Sequence, residues 1–247
     1  MAITLQALKA KRWFGFDLDD TLHNFRSAST TASLAVFSDI HEKHSIPVAI
    51  IASAYSAILK EKTRNAFTDN RTSTEYRKER FAALLEVYSL PSSDAYLDEL
   101  AALYKTALAA ALTLKPGALE LFRQLKALGK QIIIITEGPK DAQKWTVEQL
   151  GLAPYVDVLV TSNEVGLAKD AGLFGEALQR CGIKSEEMVY VGDRLEKDVV
   201  PAKAVGVLAV LFDEQDKHRD RRVREGDREE VLRVKLLSDI GVWAARF

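Results

Sequence analysis

The sequence predicts an α/β fold: a Rossmann-like three-layer core with a parallel sheet, plus an all-helical cap domain. Two observations lead to this prediction. Short apolar runs, several of them rich in β-branched residues, alternate with helical patterns, which is typical of parallel strands covered by helices on both faces. After the first run, about ninety residues carry helical patterns alone, which indicates an inserted unit. A chain of 247 residues is long enough for a core with such an insertion.

The core elements follow one another in a strand-helix rhythm. Strands are predicted at 13–16, 132–135, 156–160, 188–191 and 207–212, with a last edge strand at 231–237. Helices are predicted at 118–128, 140–150, 172–181 and 198–205, and a closing helical turn at 238–247. The charge-dense segment 213–230 is predicted as a solvated loop or helix.

The inserted unit contains four predicted helices, at 27–44, 48–67, 73–88 and 93–112, which are separated by short turn-forming segments. The core resumes at Lys115-Pro116-Gly117, where the proline can open the next helix. These positions divide the chain into a Rossmann-like core of residues 1–21 and 115–247 and a helical cap of residues 22–114.

Composition restricts the partners and the location of the protein. With 34 basic and 35 acidic residues the net charge is -1, so the overall charge favours neither nucleic acid nor a membrane surface as a partner. Cys181 is the single cysteine, which excludes an intrachain disulfide and fits a reducing compartment. Residues 1–11 resemble neither a signal peptide nor a membrane span. We therefore expect a cytoplasmic protein that is a monomer or a weak homodimer.

A pair of carboxylates marks the end of the first predicted strand. Asp17 and Asp19 are two residues apart in the sequence Asp17-Leu18-Asp19-Asp20-Thr21, so both can point the same way at the carboxyl end of that strand. Open α/β sheets bind their ligands at this edge. Three further polar elements follow later strands, namely Thr136-Glu137-Gly138, Lys169 and Gly192-Asp193.

This ordered set resembles the four motifs of the haloacid dehalogenase-like (HAD) hydrolase superfamily. Those motifs are an Asp-x-Asp-x-Thr strand end, a Thr or Ser, a Lys, and a Gly-Asp followed by another acid. The matching residues are Asp17 with Asp19 and Thr21, Thr136, Lys169, and Gly192-Asp193 with Asp198. The resemblance extends over about residues 13–212. Any one motif alone is weakly specific, but the four in this order are highly specific.

The resemblance implies roles for four of these residues in phosphate chemistry. Asp17 is the implied nucleophile that forms an aspartyl-phosphate, and Asp19 protonates the leaving alcohol and later deprotonates water. The dehalogenating branch of the family lacks an acid at the position of Asp19, so this residue favours a phosphatase. Thr136 is implied to hydrogen-bond the phosphoryl group, and Lys169 to neutralise its charge.

The resemblance also implies Mg²⁺ as the cofactor. Asp17 and Asp193 would bind the metal through their carboxylates, and Asp19 through its backbone carbonyl. Asp198 would support Asp193 or bind the metal directly.

Two residues depart from the family's usual pattern beside the implied phosphate site. Glu137 stands where Asn is common, and it either turns outward toward Lys140 or disfavours highly charged substrates. Asp170 follows Lys169 in place of the usual proline, which leaves the loop less rigid. Backbone N–H groups are expected to donate to phosphate as well, at Leu18, Asp19, Glu137 and Gly138.

The implied activity is hydrolysis of a small phosphorylated metabolite, such as a nucleotide, a sugar phosphate or phosphoglycolate. Two alternatives stay open: a phosphotransferase or phosphomutase that uses the same site, and a catalytically silent phosphate-binding regulatory protein. His23 lies near the mouth of the site and could simply face solvent. Four cap cations could reach the leaving group, although exposed positions are the commoner state for such side chains; they are Arg71, Arg77, Lys78 and Arg80.

Overall fold

A computed structural model of the protein describes residues 8–63, 67–216 and 231–245, and it confirms the predicted α/β fold. The described strands form one parallel sheet in the order β3-β2-β1-β4-β5-β6. They are β1 (Trp13–Phe16), β2 (Gln131–Thr136), β3 (Val158–Thr161), β4 (Met188–Gly192), β5 (Leu208–Phe212) and β6 (Leu232–Val234). The strand order reverses between β1 and β4, which leaves a crevice at their carboxyl ends.

The central strands are buried on both faces, as their continuous apolar sequences predict. Alternate residues of β2 belong to different apolar cores: Ile132 and Ile134 pack into one, and Ile133 and Ile135 into the other. A side chain at Gly15 of β1 would collide with β4, because its Cβ would lie 2.2 Å from a side-chain carbon of Met188. This close pairing of β1 and β4 positions the residues that follow both strands.

Helices surround the sheet and make up the insertion. The insertion contains α1 (Phe25–His44), α2 (Val48–Lys62), α3 (Ser73–Val87) and α4 (Asp94–Ala111). The helices that follow are α5 (Ala118–Ala127), α6 (Lys140–Gln149), α7 (Ser162–Val165), α8 (Leu173–Cys181), α9 (Val200–Ala204) and α10 (Leu237–Ala245).

The helices of the insertion pack around an apolar core of their own, which includes Val36, Phe81 and Leu100. Helix α3 begins with a capping box, in which the Thr72 side chain accepts the backbone N–H of Glu75 and the Glu75 carboxylate accepts that of Thr72. A separate apolar core agrees with a cap domain at 22–114, although the division of the chain into core and cap stays a prediction.

The end of the chain differs from the prediction. The last strand spans only Leu232–Val234, and the nine-residue helix α10 takes the place of the expected helical turn. The buried residues Leu237, Ile240 and Ala244 of α10 recur at helical spacing, so the apolar pattern predicted as the end of a strand is the apolar face of a helix.

Helix α5 begins at Ala118, the predicted first residue; Pro116 lies before it and does not open it, and Gly117 between them has a φ of +80°.

Three predicted segments lie partly outside the described residues, one of them the turn at 238–247, of which residues 246 and 247 are not described. Segment 213–230 is described only as far as residue 216, and the helix predicted at 48–67 ends at Lys62, with residues 64–66 outside the description. Within the described ranges, no helix combines the length and the apolar character needed to cross a membrane.

Candidate active site

Asp17 directly follows β1 and is held between neighbouring elements. Its backbone N–H donates to the carbonyl of Val191 in β4 at 2.9 Å, which extends the sheet by one residue. Its side chain is buried; Oδ1 accepts from Lys169 Nζ at 2.5 Å, and Oδ2 accepts from the Thr21 hydroxyl at 3.3 Å. The Asp-x-Asp-x-Thr sequence thus supplies both the carboxylate and a hydroxyl that orients it.

Lys169 lies on a short 3₁₀ turn, Lys169–Ala171, and its side chain is buried. Nζ contacts Oδ1 of Asp17 and Oδ1 of Asp198, each at 2.5 Å. Burial by itself lowers the pKa of Lys169, but the two carboxylates outweigh it and hold the pKa above its ordinary value. The side chain is therefore a fixed positive charge between two buried acids.

Asp198 lies on a π-helical turn, Leu195–Val199, which follows β4. Its Oδ2 accepts the backbone N–H of Arg194 at 2.9 Å, and its Oδ1 also accepts the Tyr190 hydroxyl at 3.3 Å. Gly192 makes this geometry possible, because a Cβ at that position would lie 2.3 Å from the carboxylate carbon of Asp198. The glycine of the Gly-Asp motif thus makes room for the second acid.

Three carboxylates form a cluster at the crevice: Asp17, Asp193 and Asp198 each place an oxygen within 4.8 Å of the others. Burial raises the pKa of Asp17, with Asp198 and Asp193 adding to the rise and Lys169 opposing it. Burial likewise raises the pKa of Asp193 to about 6. Three ionised carboxylates beside one lysine leave an excess of negative charge, which a divalent cation would neutralise.

The chemistry of this cluster fits Mg²⁺. Magnesium prefers hard oxygen ligands and is usually held by one or two carboxylates, with water and substrate phosphate completing its shell. The cluster offers such oxygens where two parallel strands end, as predicted, and Asp193 stays partly accessible, with 17% of its side chain exposed.

Asp19 has a different environment from Asp17. Its carboxylate is 23% exposed and turns toward His23 and Gln143. Oδ1 lies 2.9 Å from His23 Nε2, and Oδ2 accepts from Gln143 Nε2 at 3.3 Å. A metal contact of Asp19 would therefore come from its backbone carbonyl, as the family resemblance implies.

Thr136 is the last residue of β2, and its two neighbours in the following loop contact other segments of the core. The hydroxyl of Thr136 is buried and lies 3.5 Å from Gln143 Oε1. Glu137 does not turn toward Lys140; it accepts the backbone N–H of Lys169 at 2.9 Å and so braces the loop that was expected to be less rigid. The N–H of Gly138 donates to the Ser162 hydroxyl at 3.0 Å, and its expected donation to phosphate stays a prediction.

Some site residues were missed or misplaced by sequence reasoning. Gln143 lies outside the four motifs. The only feature of the sequence that could have indicated its role is that this polar residue falls on the buried side of an amphipathic helix. His23 is fully buried and does not face solvent. Arg77 was expected on the surface but is buried, with Nη1 donating to the Ser73 hydroxyl at 3.1 Å.

An open cavity of about 390 Å³ adjoins the cluster. Its walls combine acids and cations, including Asp193, Arg26, Lys115 and Arg194. Arg26 Nη2 lies 3.8 Å from Asp193 Oδ2, so a cation stands beside one of the clustered acids. The cavity is large enough to admit a small metabolite.

Comparisons with known proteins identify the family to which this chain belongs. A family model described as haloacid dehalogenase-like hydrolase matches residues 11–206. Glyceraldehyde 3-phosphate phosphatase from Methanocaldococcus jannaschii is 41% identical over 96 residues, which cover 38% of this chain and 42% of that protein. Ribulose-1,5-bisphosphate 5-phosphatase from Halopiger xanaduensis is 32% identical over 200 residues, which cover 80% of this chain and 83% of that protein.

A solved structure supports the fold. The 2-haloacid dehalogenase from Pseudomonas syringae pv. Tomato matches with a TM-score of 0.68 at 24% identity, over 96% of this chain and 99% of that one. At this identity the likeness concerns the fold alone. The family match over residues 11–206, together with the Halopiger xanaduensis relative matched over most of both chains, shows that this chain belongs to the haloacid dehalogenase-like hydrolase family.

Proposed function

We propose that the protein is a Mg²⁺-dependent phosphomonoesterase that hydrolyses a small phosphorylated metabolite through an aspartyl-phosphate on Asp17. The observation that carries this proposal is the different setting of the two acids after β1. Asp17 is buried against Lys169 among the clustered carboxylates, whereas Asp19 is partly exposed and lies between His23 and Gln143. This difference supports attack on phosphorus by Asp17 and proton transfer by Asp19.

The proposed metal site consists of the carboxylates of Asp17, Asp193 and Asp198, with the backbone carbonyl of Asp19 as a further ligand. When bound there, Mg²⁺ would neutralise charge on the phosphoryl oxygens. Lys169 contributes a second positive charge beside Asp17, which offsets the repulsion between this carboxylate and a phosphate dianion.

In the first half-reaction an Asp17 oxygen forms a bond to phosphorus while the bond from phosphorus to the leaving oxygen breaks. Asp19 passes its proton to that leaving oxygen, so an alcohol departs. The Thr136 hydroxyl donates to a phosphoryl oxygen; its contact with Gln143 is long, at 3.5 Å, and yields easily to the stronger acceptor.

In the second half-reaction Asp19, now ionised, takes a proton from a water molecule that attacks the phosphorus of the aspartyl-phosphate. The bond between Asp17 and phosphorus breaks, and orthophosphate leaves. Asp19 is protonated and Asp17 is ionised again, so the enzyme returns to its starting state.

The relatives' names favour a sugar phosphate among the expected substrates. The two relatives described above carry the names of phosphatases for glyceraldehyde 3-phosphate and ribulose-1,5-bisphosphate. The acid at Asp19 supports phosphate chemistry over dehalogenation, because a departing halide needs no proton.

A screen for phosphate release over a panel of phosphorylated metabolites, with and without Mg²⁺, tests the proposal. We expect orthophosphate from at least one sugar phosphate, and only when Mg²⁺ is present. A new phosphorylated product without free phosphate would instead indicate a transferase or mutase. No turnover on any member of the panel would support the silent binding protein.

A further inference from the structure

We propose that Gln143 is a positioning residue for the reaction: it holds the Asp19 carboxylate in the orientation from which a proton passes to the leaving group. The inference rests on the proposed function, because it takes Asp19 as the residue that transfers the proton. Gln143 touches no reacting atom itself and acts through Asp19.

The contacts of Asp19 come from two different elements of the fold. Gln143 lies in the first half of α6, and its buried side chain donates through Nε2 to Asp19 Oδ2 at 3.3 Å. The other carboxylate oxygen, Oδ1, lies 2.9 Å from Nε2 of the fully buried His23. Both oxygens are thus engaged, which fixes the rotation of the carboxyl group about its terminal bond.

The chemistry of the neighbours determines which way the Gln143 amide faces. The NH₂ group faces Asp19 Oδ2, an oxygen that accepts a hydrogen bond both when Asp19 is ionised and when it carries its proton on the other oxygen. The carbonyl oxygen then faces the Thr136 hydroxyl, a donor, at 3.5 Å. Gln143 therefore stands between the proposed proton donor and the proposed phosphate-binding hydroxyl, although it belongs to none of the four family motifs.

Gly138 makes room for this amide. Its φ is +147°, and a Cβ at that position would lie 2.5 Å from Gln143 Nε2. The loop after β2 thus approaches the amide so closely that a side chain on the glycine would displace it.

The amide of glutamine does not titrate, so Gln143 cannot replace Asp19 as the acid. Its loss should therefore matter in proportion to the reaction's need for a proton. A leaving group that departs as a stable anion needs little help, whereas a basic leaving group depends on a well-oriented acid. A purely structural defect would lower the rate of every substrate alike.

The test is a series of aryl phosphates with leaving groups of increasing basicity: 2,4-dinitrophenyl, p-nitrophenyl and phenyl phosphate, each with Mg²⁺. We compare kcat/KM for wild type, Gln143→Leu and Gln143→Glu, because this ratio reports the steps up to loss of the phenol. Gln149→Leu is the matched control, since Gln149 is exposed on the same helix. Thermal unfolding of each variant checks that it is folded.

We expect Gln143→Leu to lower kcat/KM for phenyl phosphate by about tenfold or more, and for 2,4-dinitrophenyl phosphate by less than about threefold. Gln143→Glu, which keeps the shape but places a carboxylate against Asp19, should show the same trend. Gln149→Leu should match wild type on all three substrates. In an Asp19→Asn background, Gln143→Leu should have no further effect, because the group it orients is already gone.

Three results would overturn the inference. An equal loss on all three substrates would indicate a structural defect, and an undiminished Gln143→Leu enzyme would show that Asp19 needs no support. Losses that multiply in the double variant with Asp19→Asn would show that Gln143 acts separately from Asp19. Failure of the wild type to hydrolyse any of the three esters would instead count against the proposed function, and the inference would fall with it.

Discussion

At the scale of single residues, burial controls whether the clustered carboxylates are charged. Desolvation, aided by Asp198 and Asp20, raises the pKa of Asp193 from 3.8 to about 6, whereas Arg26 and Lys169 oppose the rise. In the metal-free protein the fold therefore favours the protonated form of Asp193. The contribution of Asp193 to the stability of the folded protein is fully present when the pH is below the pKa of this residue in the unfolded chain. It is lost as the pH rises through about 6, the pKa in the folded protein.

This shift predicts how stability depends on pH. In EDTA, the unfolding free energy of wild type minus that of Asp193→Asn should fall by about 2 kcal/mol as the pH rises from about 4 to about 7. Urea unfolding at a series of pH values measures it. Mg²⁺ should remove most of the fall, because a bound cation favours the ionised carboxylate. A difference in EDTA that stays constant or rises with pH would contradict the assignment.

Single residues were predictable from the sequence where they belong to the motifs. Asp17, Lys169 and Asp198 follow from the motifs, and the structure brings Lys169 within hydrogen-bond distance of both acids. The contacts that Gln143 and His23 make with Asp19 were not predictable from the motifs. They depend on how helix α6 and the start of the insertion fold back on Asp19. Spacing along the chain carries no signal for such contacts.

At the scale of elements, helix α6 links the insertion to the site. Its first turn carries Asp141, which accepts both the backbone N–H of Ser73 at 2.9 Å and its hydroxyl at 2.6 Å. Ser73 is the first residue of α3, so Asp141 satisfies a free N–H at the start of that helix and places a negative charge at its positive end. The same helix supplies Gln143 to Asp19 one half-turn later.

Removing this contact should loosen the insertion at one place. We expect Asp141→Ala to lower the unfolding free energy by about 1 to 2 kcal/mol, because two hydrogen bonds to a helix start are lost. Hydrogen–deuterium exchange should show faster exchange at the beginning of α3. Glu148→Ala, an exposed acid on the same helix, is the control and should change neither measurement. If hydrogen–deuterium exchange at the beginning of α3 is unchanged in Asp141→Ala, the contact between Asp141 and Ser73 does not stabilise the start of that helix.

For the whole molecule, the alternation of apolar runs and helical patterns predicted the architecture correctly. Strands β1, β2, β4 and β5 could be located because nearly all of their residues are buried and each has a continuous apolar sequence. Strand β3, at an edge of the sheet, is half-buried at Val158 and Leu159 but is still apolar there. The boundary between the last strand and the last helix could not be located in this way. Leu237 continues an apolar pattern that, over so few residues, fits a strand and a helix equally well. Which residues of the insertion approach the site likewise depends on tertiary packing.

The metal site should also affect the stability of the molecule as a whole. A cation that binds only the folded state stabilises it by about 1.4 kcal/mol for each tenfold rise in concentration above its Kd. We expect the thermal midpoint of wild type to rise steadily with Mg²⁺ at constant ionic strength. Asp193→Asn should show a clearly smaller rise. Equal responses of the two proteins would place the cation elsewhere.

The most direct test of the central claim is the turnover of p-nitrophenyl phosphate by Asp17→Asn in the presence of Mg²⁺. The substitution keeps the shape of the side chain but removes the carboxylate that would attack phosphorus. The account predicts a fall in kcat of at least about 10⁴-fold, with a folded protein by circular dichroism. Turnover within about tenfold of wild type would contradict it, because the phosphoryl group could not then pass through Asp17.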